Sequence, residues 1–507
     1  MRRRVTSVGS LFSGRATTAL SRRLDTLRAA LEVTVPGADR QDSEHGAEFA
    51  ARTLLALCAR VVTSLDTADL WAIYVAVSTT YPDRSTMERL ESAVAAGSPS
   101  GLADLTLEIG LAAGERFGNL SADVRLVSGV IVDVTFSAIS DHNTGIQRVV
   151  RSAARWWALD PAVTLVAADG GPSMHRMLTA DEANRVSRWN EPVEHVASRV
   201  QSTDLVIPWH AVVLIPEVPA IERIAGLSEL ARHSGNNIAI VAHDAIPITG
   251  REYVAAAEME RFARYLELVT AAAVVIAVSE SAATEFRGIR KSSQARGNPG
   301  FDVGFRRLPM ELAADASGGV EAPLPVVLVV GSREPRKNQD AVLYAAERLW
   351  REGLQFELVL VGAWGWSTRT FRFWLRRARA AGRPVSAPNS LGDDDLWRAY
   401  DSAWFTVFPS LQEGFGLPIV ESLAHGVPVI TSDYGSMAEI AEDGGCLTID
   451  PRDDEQLVTA MRSLLVDSDL RGRLVREIAT RPRDSWEQYA AAVIDTVGLY
   501  LPTGTTG

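Results

Sequence analysis

The stretch FTVFPSLQEGFGLPIVESLAHG, residues 405–426, joins a short apolar strand to a helix through a loop that contains two glycines. Gly414 and Gly416 lack a Cβ, so the backbone at these positions can approach a ligand closely. Pro418 suits the first turn of a helix, and the free N–H groups and the dipole of that turn face the loop. This strand–loop–helix junction is typical of an α/β protein that binds an anionic ligand at a helix start.

Two carboxylates flank this loop. Glu413 precedes the helix and Glu421 lies in its first turns, so both are predicted to border one cleft. Glu421 is suited to accept two hydrogen bonds from a ribose diol, and Glu413 to hold the hydroxyls of a sugar. The structural alternative is a helix-capping loop with a glutamate that compensates the helix dipole.

Short apolar runs alternate with helical segments on both sides of this junction. The runs are continuous, as in GVIVDVTF, NIAIVAHD, VVLVV and FELVLV, which is typical of parallel strands that are buried on both faces. We therefore expect an α/β fold with two Rossmann-like domains that follow a helical extension. The predicted parts are residues 1–125 (helical extension), 126–318 (first Rossmann-like domain), 319–485 (second Rossmann-like domain) and 486–507 (carboxyl-terminal helix and tail).

A basic loop, GSREPRKN, follows the strand VVLVV. Ligands of open parallel sheets bind beyond the carboxyl ends of the strands, where Arg333, Arg336 and Lys337 are predicted to lie. Cations at this edge would stabilise the negative charge that grows on a leaving diphosphate. A solvated basic loop without a ligand is the alternative.

The composition excludes some classes of protein. The formal net charge of −12 argues against a nucleic-acid binder that depends on a general basic field. Cys58 and Cys446 form neither a metal-binding spacing nor a disulfide framework, and no apolar run approaches the length of about 20 residues that spans a membrane. Basic and polar residues interrupt any signal-peptide core near the amino terminus, so a cytoplasmic protein is expected.

No metal site is predicted. The eight histidines show no metal-binding spacing. Asp393, Asp394 and Asp395 directly precede the segment LWRAYDSA, so helix capping and dipole compensation explain them better than metal binding.

The amino-terminal arm combines arginines with a leucine stripe at helical spacing. Two interpretations remain open: the helix docks on its own domain, or it lies on the surface of an anionic membrane. The arginines are Arg2, Arg3, Arg4, Arg15, Arg22, Arg23 and Arg28, and the stripe consists of Leu20, Leu24, Leu27 and Leu31.

Residues 326–486 resemble the carboxyl-terminal domain of family-4 retaining glycosyltransferases. The resemblance implies the GT-B fold, in which two Rossmann-like domains face each other. The resemblance rests on the segments GSREPRKN, LVGAWGW, LGDDDLWRAYDSA, FPSLQEGFGLPIVESLAHGVPVITSDYGSMAEIA and IDPRDDEQL. It implies that the second domain binds a nucleotide diphosphate sugar and that the anomeric configuration is retained.

The resemblance also implies roles for single residues. Lys337 binds the donor diphosphate, Glu421 holds the ribose and Glu413 lies beside the donor sugar. Many relatives have arginine directly after the glycine of the basic loop, where this chain has Ser332, so both Arg333 and Arg336 remain candidates for that arginine. The amides that contact sugar and phosphate are those of Gly414, Phe415, Gly416 and Leu417.

The segment IVDVTFSAISDHNTGIQRVV, residues 131–150, resembles the first strand, glycine loop and helix of a subgroup that acts in surface-polysaccharide assembly. The resemblance places Thr144 and Gly145 at the cleft. It also implies a histidine at the end of a middle strand, and both His210 and His243 are candidates. His243, which precedes Asp244 and an Ile-Pro dipeptide, fits a shaped site better.

The resemblance implies an enzyme that is similar to mannosyltransferases and moves a hexose-type sugar from a nucleotide diphosphate sugar to a glycan or a lipid-linked carbohydrate. The first Rossmann-like domain would bind the acceptor. Neither a cofactor nor a metal is expected, and peripheral contact with the inner face of the membrane is an open expectation. The alternatives are a sugar-nucleotide epimerase or phosphorylase relative, and a non-catalytic glycan-binding or scaffold subunit.

Overall fold

The computed structural model describes residues 14–35, 46–169, 173–189, 204–310 and 323–502. A helical extension precedes two α/β domains, each built on its own sheet. The two sheets face a common cleft, so the fold is the GT-B architecture that the sequence predicted. The predicted boundary near residue 318 falls outside the described residues.

Among its described residues the extension contains five helices, whose apolar faces pack on one face of the first sheet. Asp66, Asp83 and Ser98 cap three of these helices with their side chains, which satisfies backbone N–H groups at the helix starts. The helices are α1 (Gly14–Ala30), α2 (Ala47–Ser64), α3 (Thr67–Ser78), α4 (Arg84–Ala95) and α5 (Pro99–Phe117).

The amino-terminal arm is docked on its own domain from residue 14 onward. Leu20, Leu24, Leu27 and Leu31 of the stripe are all buried in the core that the extension shares with the first sheet. Arg23 is also buried, and its guanidinium donates to the main-chain carbonyls of three residues in this domain at 2.7–2.8 Å. Arg2, Arg3 and Arg4 lie outside the described residues. Among the described residues, no helix is both long and apolar enough to cross a membrane.

The first α/β domain contains a mostly parallel sheet. Its strands are β1 (Val124–Asp133), β2 (Val163–Ala167), β3 (Arg176–Met177), β4 (Leu205–Ile215), β5 (Asn237–Ala242), β6 (Val274–Ala277) and β7 (Asp302–Phe305). Strand β1 pairs with β2 on one side and with β4 on the other, and β5, β6 and β7 continue the sheet beyond β4. The short β3 is antiparallel to its neighbours. The helices of this domain are α6 (Thr135–Ile139), α7 (Gly145–Trp157), α8 (Ala180–Ser187), α9 (Ile221–His233), α10 (Ile246–Thr249), α11 (Ala256–Ala271) and α12 (Glu280–Gln294).

The second α/β domain has a six-stranded parallel sheet. Its strands are β8 (Val326–Val330), β9 (Glu357–Val361), β10 (Val385–Ser386), β11 (Phe405–Phe408), β12 (Val429–Ser432) and β13 (Cys446–Ile449). They lie in the order β10-β9-β8-β11-β12-β13, which is the strand order of dinucleotide-binding Rossmann folds. The helices that follow β8 are α13 (Gln339–Arg351), α14 (Arg369–Ala380), α15 (Asp393–Asp401), α16 (Leu417–Ala424), α17 (Gly435–Ala441), α18 (Asp454–Val466), α19 (Ser468–Ala479) and α20 (Trp486–Gly498).

The expectation that His210 ends a strand is wrong. The strand that begins at Leu205 continues to Ile215, and His210 lies in a bulge within it. Two residues of β4 oppose a single residue of β1 at this point, and His210 adopts a φ of 50°. The apolar run AVVLI after the bulge carries the strand to the cleft edge, several residues beyond the histidine.

The last helix, α20, packs on the first α/β domain although it follows the second one in the chain. The Trp157 indole N–H donates to the Ala490 carbonyl at 3.1 Å. Asn237 donates to the Tyr500 carbonyl, and the Tyr500 hydroxyl donates to Asp302, both at 2.7 Å. The apolar face of α20 thereby completes a core that also includes residues of α16 and α17.

We expect Trp157→Ala to lower the free energy of unfolding by about 3–5 kcal/mol, because it leaves a cavity between α7 and α20. Trp157 is 2% exposed, whereas Trp374 is 40% exposed and provides the matched control. Urea unfolding followed by circular dichroism measures both variants. Equal effects of Trp157→Ala and Trp374→Ala would contradict the proposed role of this contact.

Candidate functional site

The carboxyl ends of the two sheets border a cleft of about 550 Å³. Loops after β5 and before α7 form one wall, and loops after β8 and β11 form the other. Polar side chains and free backbone groups from both domains therefore meet in one space. The predicted site residues that line it are Thr144, Gly145, His243, Asp244, Arg336, Lys337, Glu413, Gly414, Phe415, Gly416, Leu417 and Glu421.

Glu413 forms ion pairs with two cations at the base of the cleft. Its carboxylate lies 2.6 Å from Lys337 Nζ and 2.6 Å from a terminal nitrogen of Arg336. Burial alone raises the pKa of Glu413, but the charges of Arg336 and Lys337 outweigh burial and hold the pKa at about 2. Glu413 is therefore ionised at neutral pH and fixes both cations on the cleft wall. The Lys337 ammonium keeps further N–H donors for a ligand.

The second and first domains touch through Gly414. A Cβ at this position would lie 2.0 Å from the His243 carbonyl oxygen, so any larger residue would push the domains apart. The Ser279 hydroxyl donates to the Gly414 carbonyl at 2.6 Å across the same contact. Gly414 thus allows its backbone to contact the backbone of His243 closely. This role is additional to the predicted one, in which the glycine lets a ligand approach the backbone.

The predicted helix start is present at α16. Gly416 precedes the helix with a φ of +118°, a conformation that favours glycine, and Pro418 lies in the first turn. No side chain caps this start, so backbone N–H groups of the first turn remain for a ligand in the cleft.

Glu421 makes two contacts that the sequence did not reveal. Arg148 reaches from α7 across the cleft and lies 2.7 Å from one Glu421 oxygen, while the Tyr400 hydroxyl donates to the other at 2.9 Å. The Arg148 guanidinium also stacks on the Trp397 ring at 5.0 Å. One feature of the sequence could have indicated Arg148 as a site residue: it lies one helical turn after Gly145, on the same face of α7.

The structure separates the two candidate arginines of the basic loop. Arg333 is 1% exposed and donates to Asn389, to the Leu360 carbonyl and to the Pro388 carbonyl at 2.8–3.1 Å. It supports the loops below the cleft and does not line it. Arg336 lines the cleft beside Lys337.

His243 lies in the wall formed by the first domain. Its Nε2 is 2.9 Å from the Pro216 carbonyl oxygen, which requires that Nε2 carry a hydrogen. Burial lowers the pKa of His243, so the ring is neutral near pH 7 and its Nδ1 is an acceptor. Burial also raises the pKa of the adjacent Asp244. His210, in the strand bulge, is not among the residues that line the cleft.

The three consecutive aspartates begin a helix, as the sequence indicated. Asp393, Asp394 and Asp395 occupy the first turn of α15, where negative charge compensates the helix dipole. The N-cap position is Gly392, so none of the three caps the helix with its side chain. Across the described ranges, no group of three or more histidine, cysteine, aspartate and glutamate residues could hold a metal ion.

The first α/β domain contains a buried polar network near the cleft, which was not predicted from the sequence. Asp133 at the end of β1 accepts from Arg223 at 2.8 Å and lies 3.0 Å from His175 Nε2. The Tyr81 hydroxyl of the helical extension is 2.7 Å from the other His175 nitrogen. Burial raises the pKa of Asp133, but the charges of Arg223 and His175 outweigh it and hold the pKa well below its usual range.

Glu217 lies beside this network and caps the start of α6. Its carboxylate accepts from the Phe136 N–H at 2.9 Å, the Ser137 N–H at 3.1 Å and the Ser137 hydroxyl at 2.5 Å. Burial raises the pKa of Glu217 to about 7, because these neutral donors only partly replace water.

We expect Glu217 to make the stability of the protein depend on pH between about 4.5 and about 7. In this range the folded carboxyl binds a proton that the unfolded carboxyl has lost, so stability falls as pH rises. The unfolding free energy of wild type minus that of Glu217→Gln should therefore fall by roughly 3 kcal/mol between pH 4.5 and 7.5. Urea unfolding at several pH values measures this difference, with the half-exposed Glu258→Gln as control. A difference that is constant with pH would rule out the titration.

Residues 314–481 match the family model of group 1 glycosyl transferases. The serotype-specific mannosyltransferase WbdA of Escherichia coli is 28% identical over 335 residues, which cover 62% of this chain and 40% of that protein. The O-antigen chain mannosyltransferase B of Escherichia coli is 33% identical over 174 residues, which cover 34% of this chain and 45% of that protein. The chain thus spans less than half the length of these relatives.

The solved N-terminal domain of a trehalose-6-phosphate phosphatase from Candida albicans has a similar structure. The TM-score is 0.51 at 11% identity, and the match covers 74% of this chain and 97% of that chain. At this identity the similarity shows a shared fold.

Proposed function

We propose, because residues 314–481 match the family model of group 1 glycosyl transferases, that the chain transfers a hexose from a nucleotide diphosphate sugar to a carbohydrate acceptor. The names of the matched relatives suggest mannose as the sugar and a surface polysaccharide as the product. We also propose that the enzyme belongs to family 4 and retains the anomeric configuration, so that the new bond forms on the face from which the diphosphate leaves.

The observation that carries this proposal is the cluster of Glu413, Arg336 and Lys337 beside the uncapped start of α16. A diphosphate in the cleft would meet an ammonium, a guanidinium and backbone N–H groups at one place. These donors are fixed before the sugar–phosphate bond breaks, so they stabilise the charge that develops on the leaving group without reorganisation. Glu413 orients both cations and is proposed to lie beside the donor sugar.

Glu421 is proposed to bind the ribose of the donor. Each of its oxygens already has one partner, Arg148 or Tyr400, and each has a second lone pair for a ribose hydroxyl. Arg148 would hold the carboxylate in place from the opposite domain. Nucleotide binding and contact between the domains are therefore coupled through one side chain in this proposal.

The acceptor is proposed to bind in the first α/β domain. His243 Nδ1, an acceptor in the neutral ring, and Asp244 lie on the wall opposite Glu413. A hydroxyl of the acceptor would approach the sugar from this side. Thr144 and Gly145 at the start of α7 are proposed to contact the donor phosphate or the acceptor, and no role in this cleft is proposed for His210.

Contact with the inner face of a membrane stays a proposal that rests on Arg2, Arg3 and Arg4. The leucine stripe of α1 does not support it, because those side chains are buried within the extension. A cytoplasmic location likewise stays a proposal.

We expect Lys337→Met to lower the turnover number by at least about 100-fold, since it removes a charge that stabilises the leaving diphosphate. The measurement is transfer to a panel of saccharide acceptors from nucleoside diphosphate hexoses. Lys291→Met provides the matched control, because Lys291 lies on α12 and does not line the cleft. Turnover near the wild-type value in Lys337→Met would show that this lysine is not the diphosphate ligand.

We propose that transfer requires no metal, because Lys337, Arg336 and helix N–H groups supply the positive charge. Treatment with EDTA, followed by the same transfer assay, should leave the rate within about twofold of the untreated rate. The control is a parallel sample with EDTA saturated by magnesium. Complete loss that added magnesium or manganese restores would overturn the proposal.

A further inference from the structure

A second pocket, of about 520 Å³, lies in the first α/β domain beside the cleft. We call it the apolar pocket and define it by Phe136 and Ile139 of α6, Val218 after β4, and Ile221 of α9, which line it. Its volume lies within the range of about 300–1,000 Å³ that is typical of small-molecule sites.

Apolar side chains form most of the accessible wall of this pocket, and the exposed Glu260 and Arg261 complete its lining. Phe136 is 40% exposed, Ile139 is 53% exposed and Ile221 is 38% exposed, although all three are large hydrophobic residues. A group of such side chains around one concavity is typical of a binding site for apolar groups.

Two carboxylates at the floor of the pocket already accept hydrogen bonds from neighbouring residues. Glu217 accepts from the backbone and side chain at the start of α6, and Asp133 accepts from Arg223 and from the Thr135 N–H. A saccharide needs hydrogen-bond partners for its many hydroxyls. Asp133 and Glu217 are poor partners for it, because their carboxylates already accept hydrogen bonds from the protein. The pocket therefore favours a hydrocarbon over a sugar.

The exposed apolar wall is held rigidly. Two buried carboxylates, Asp133 and Glu217, accept from successive N–H groups of α6, the short helix that carries Phe136 and Ile139. The buried polar network continues from Asp133 to Tyr81 of the helical extension. A preorganised wall of this kind lowers the entropy lost when a ligand binds.

The apolar pocket connects with the cleft. Val218 and Arg261 line both the apolar pocket and a smaller cavity of about 160 Å³. His243 and Asp244 line both that cavity and the cleft. Shared lining residues therefore place the three cavities side by side, from the proposed reaction centre to the apolar pocket. The Arg261 side chain, which is 44% exposed, lies between the apolar pocket and the smaller cavity.

We propose that the apolar pocket binds the hydrocarbon chain of a lipid-linked acceptor, whose saccharide end reaches His243 through the connecting cavity. The inference rests on the proposed transferase function and specifies its acceptor. Arg261 lies where the phosphate that joins hydrocarbon and saccharide would pass, and its ion pair with Glu258, at 3.4 Å, is long enough to be exchanged for that phosphate.

Binding of farnesyl phosphate tests the pocket without any transfer reaction. Isothermal titration of the full chain below the micelle concentration should show binding to wild type that Phe136→Ala weakens at least about tenfold, since an aromatic contact is lost. Isopentenyl phosphate, with the same headgroup and a shorter chain, should bind at least about tenfold more weakly than farnesyl phosphate. Phe117→Ala is the matched control, because Phe117 is 44% exposed on the extension and does not line the pocket.

Thermal shift with nucleoside diphosphate hexoses, measured on the same variants, separates this inference from the transferase function. A donor-induced shift in wild type and in Phe136→Ala, together with weaker farnesyl phosphate binding by the variant alone, supports the inference. No donor shift in any variant would contradict the transferase function and leave the lipid titration as the test of the pocket. Undetectable binding of farnesyl phosphate to wild type, or equal binding to both proteins, overturns the inference. Loss of transfer to a water-soluble saccharide in Phe136→Ala also overturns it, since a sugar would then occupy the pocket.

Discussion

The contact between Gly414 and the His243 carbonyl sets the geometry on which the rest of the cleft depends. Only a glycine allows these two backbones to meet, and the Ser279 hydroxyl fixes their relative position with a hydrogen bond. Because Glu413 directly precedes this glycine, its ion pairs with two cations are placed opposite the His243 wall. The distance between the two walls of the cleft is thus determined by the absence of a Cβ at Gly414.

Glu413 and Glu217 show how partners, and not burial alone, determine the charge of a carboxylate. Their side chains are similarly buried, but Glu413 is paired with two cations and its pKa is held at about 2. Glu217 accepts only from neutral N–H and O–H groups, and its pKa is raised to about 7. The first arrangement suits a site for an anionic ligand, whereas the second stabilises the start of a helix.

The sequence predicted those parts of the site that depend on local pattern. Continuous apolar runs predicted the parallel strands, and the glycine loop with Pro418 predicted the start of α16, because both follow from short-range backbone preferences. It also predicted which loops meet, since the carboxyl ends of parallel strands share one edge. The choice between Arg333 and Arg336 required the structure, because both follow the same strand and only side-chain packing separates them.

Contacts between distant parts of the chain were not predictable from one sequence. Arg148 and Glu421 are 273 residues apart, and Tyr81 and His175 are 94 residues apart. No local pattern links the members of either pair. The bulge at His210 was missed because the run DLVIPWH ends in a polar residue, although the strand resumes after it.

The position of α20 has a consequence for how the two α/β domains can move. The chain leaves the first domain after β7 and returns to it at α20, so two covalent connections cross between the domains. Two covalent connections restrict the relative motion of the two domains more than a single linker would. They also make the first α/β domain discontinuous in sequence. A fragment that ends before residue 323 would lack the helix that covers Trp157, so cutting the chain between its two sheets would not yield two complete domains.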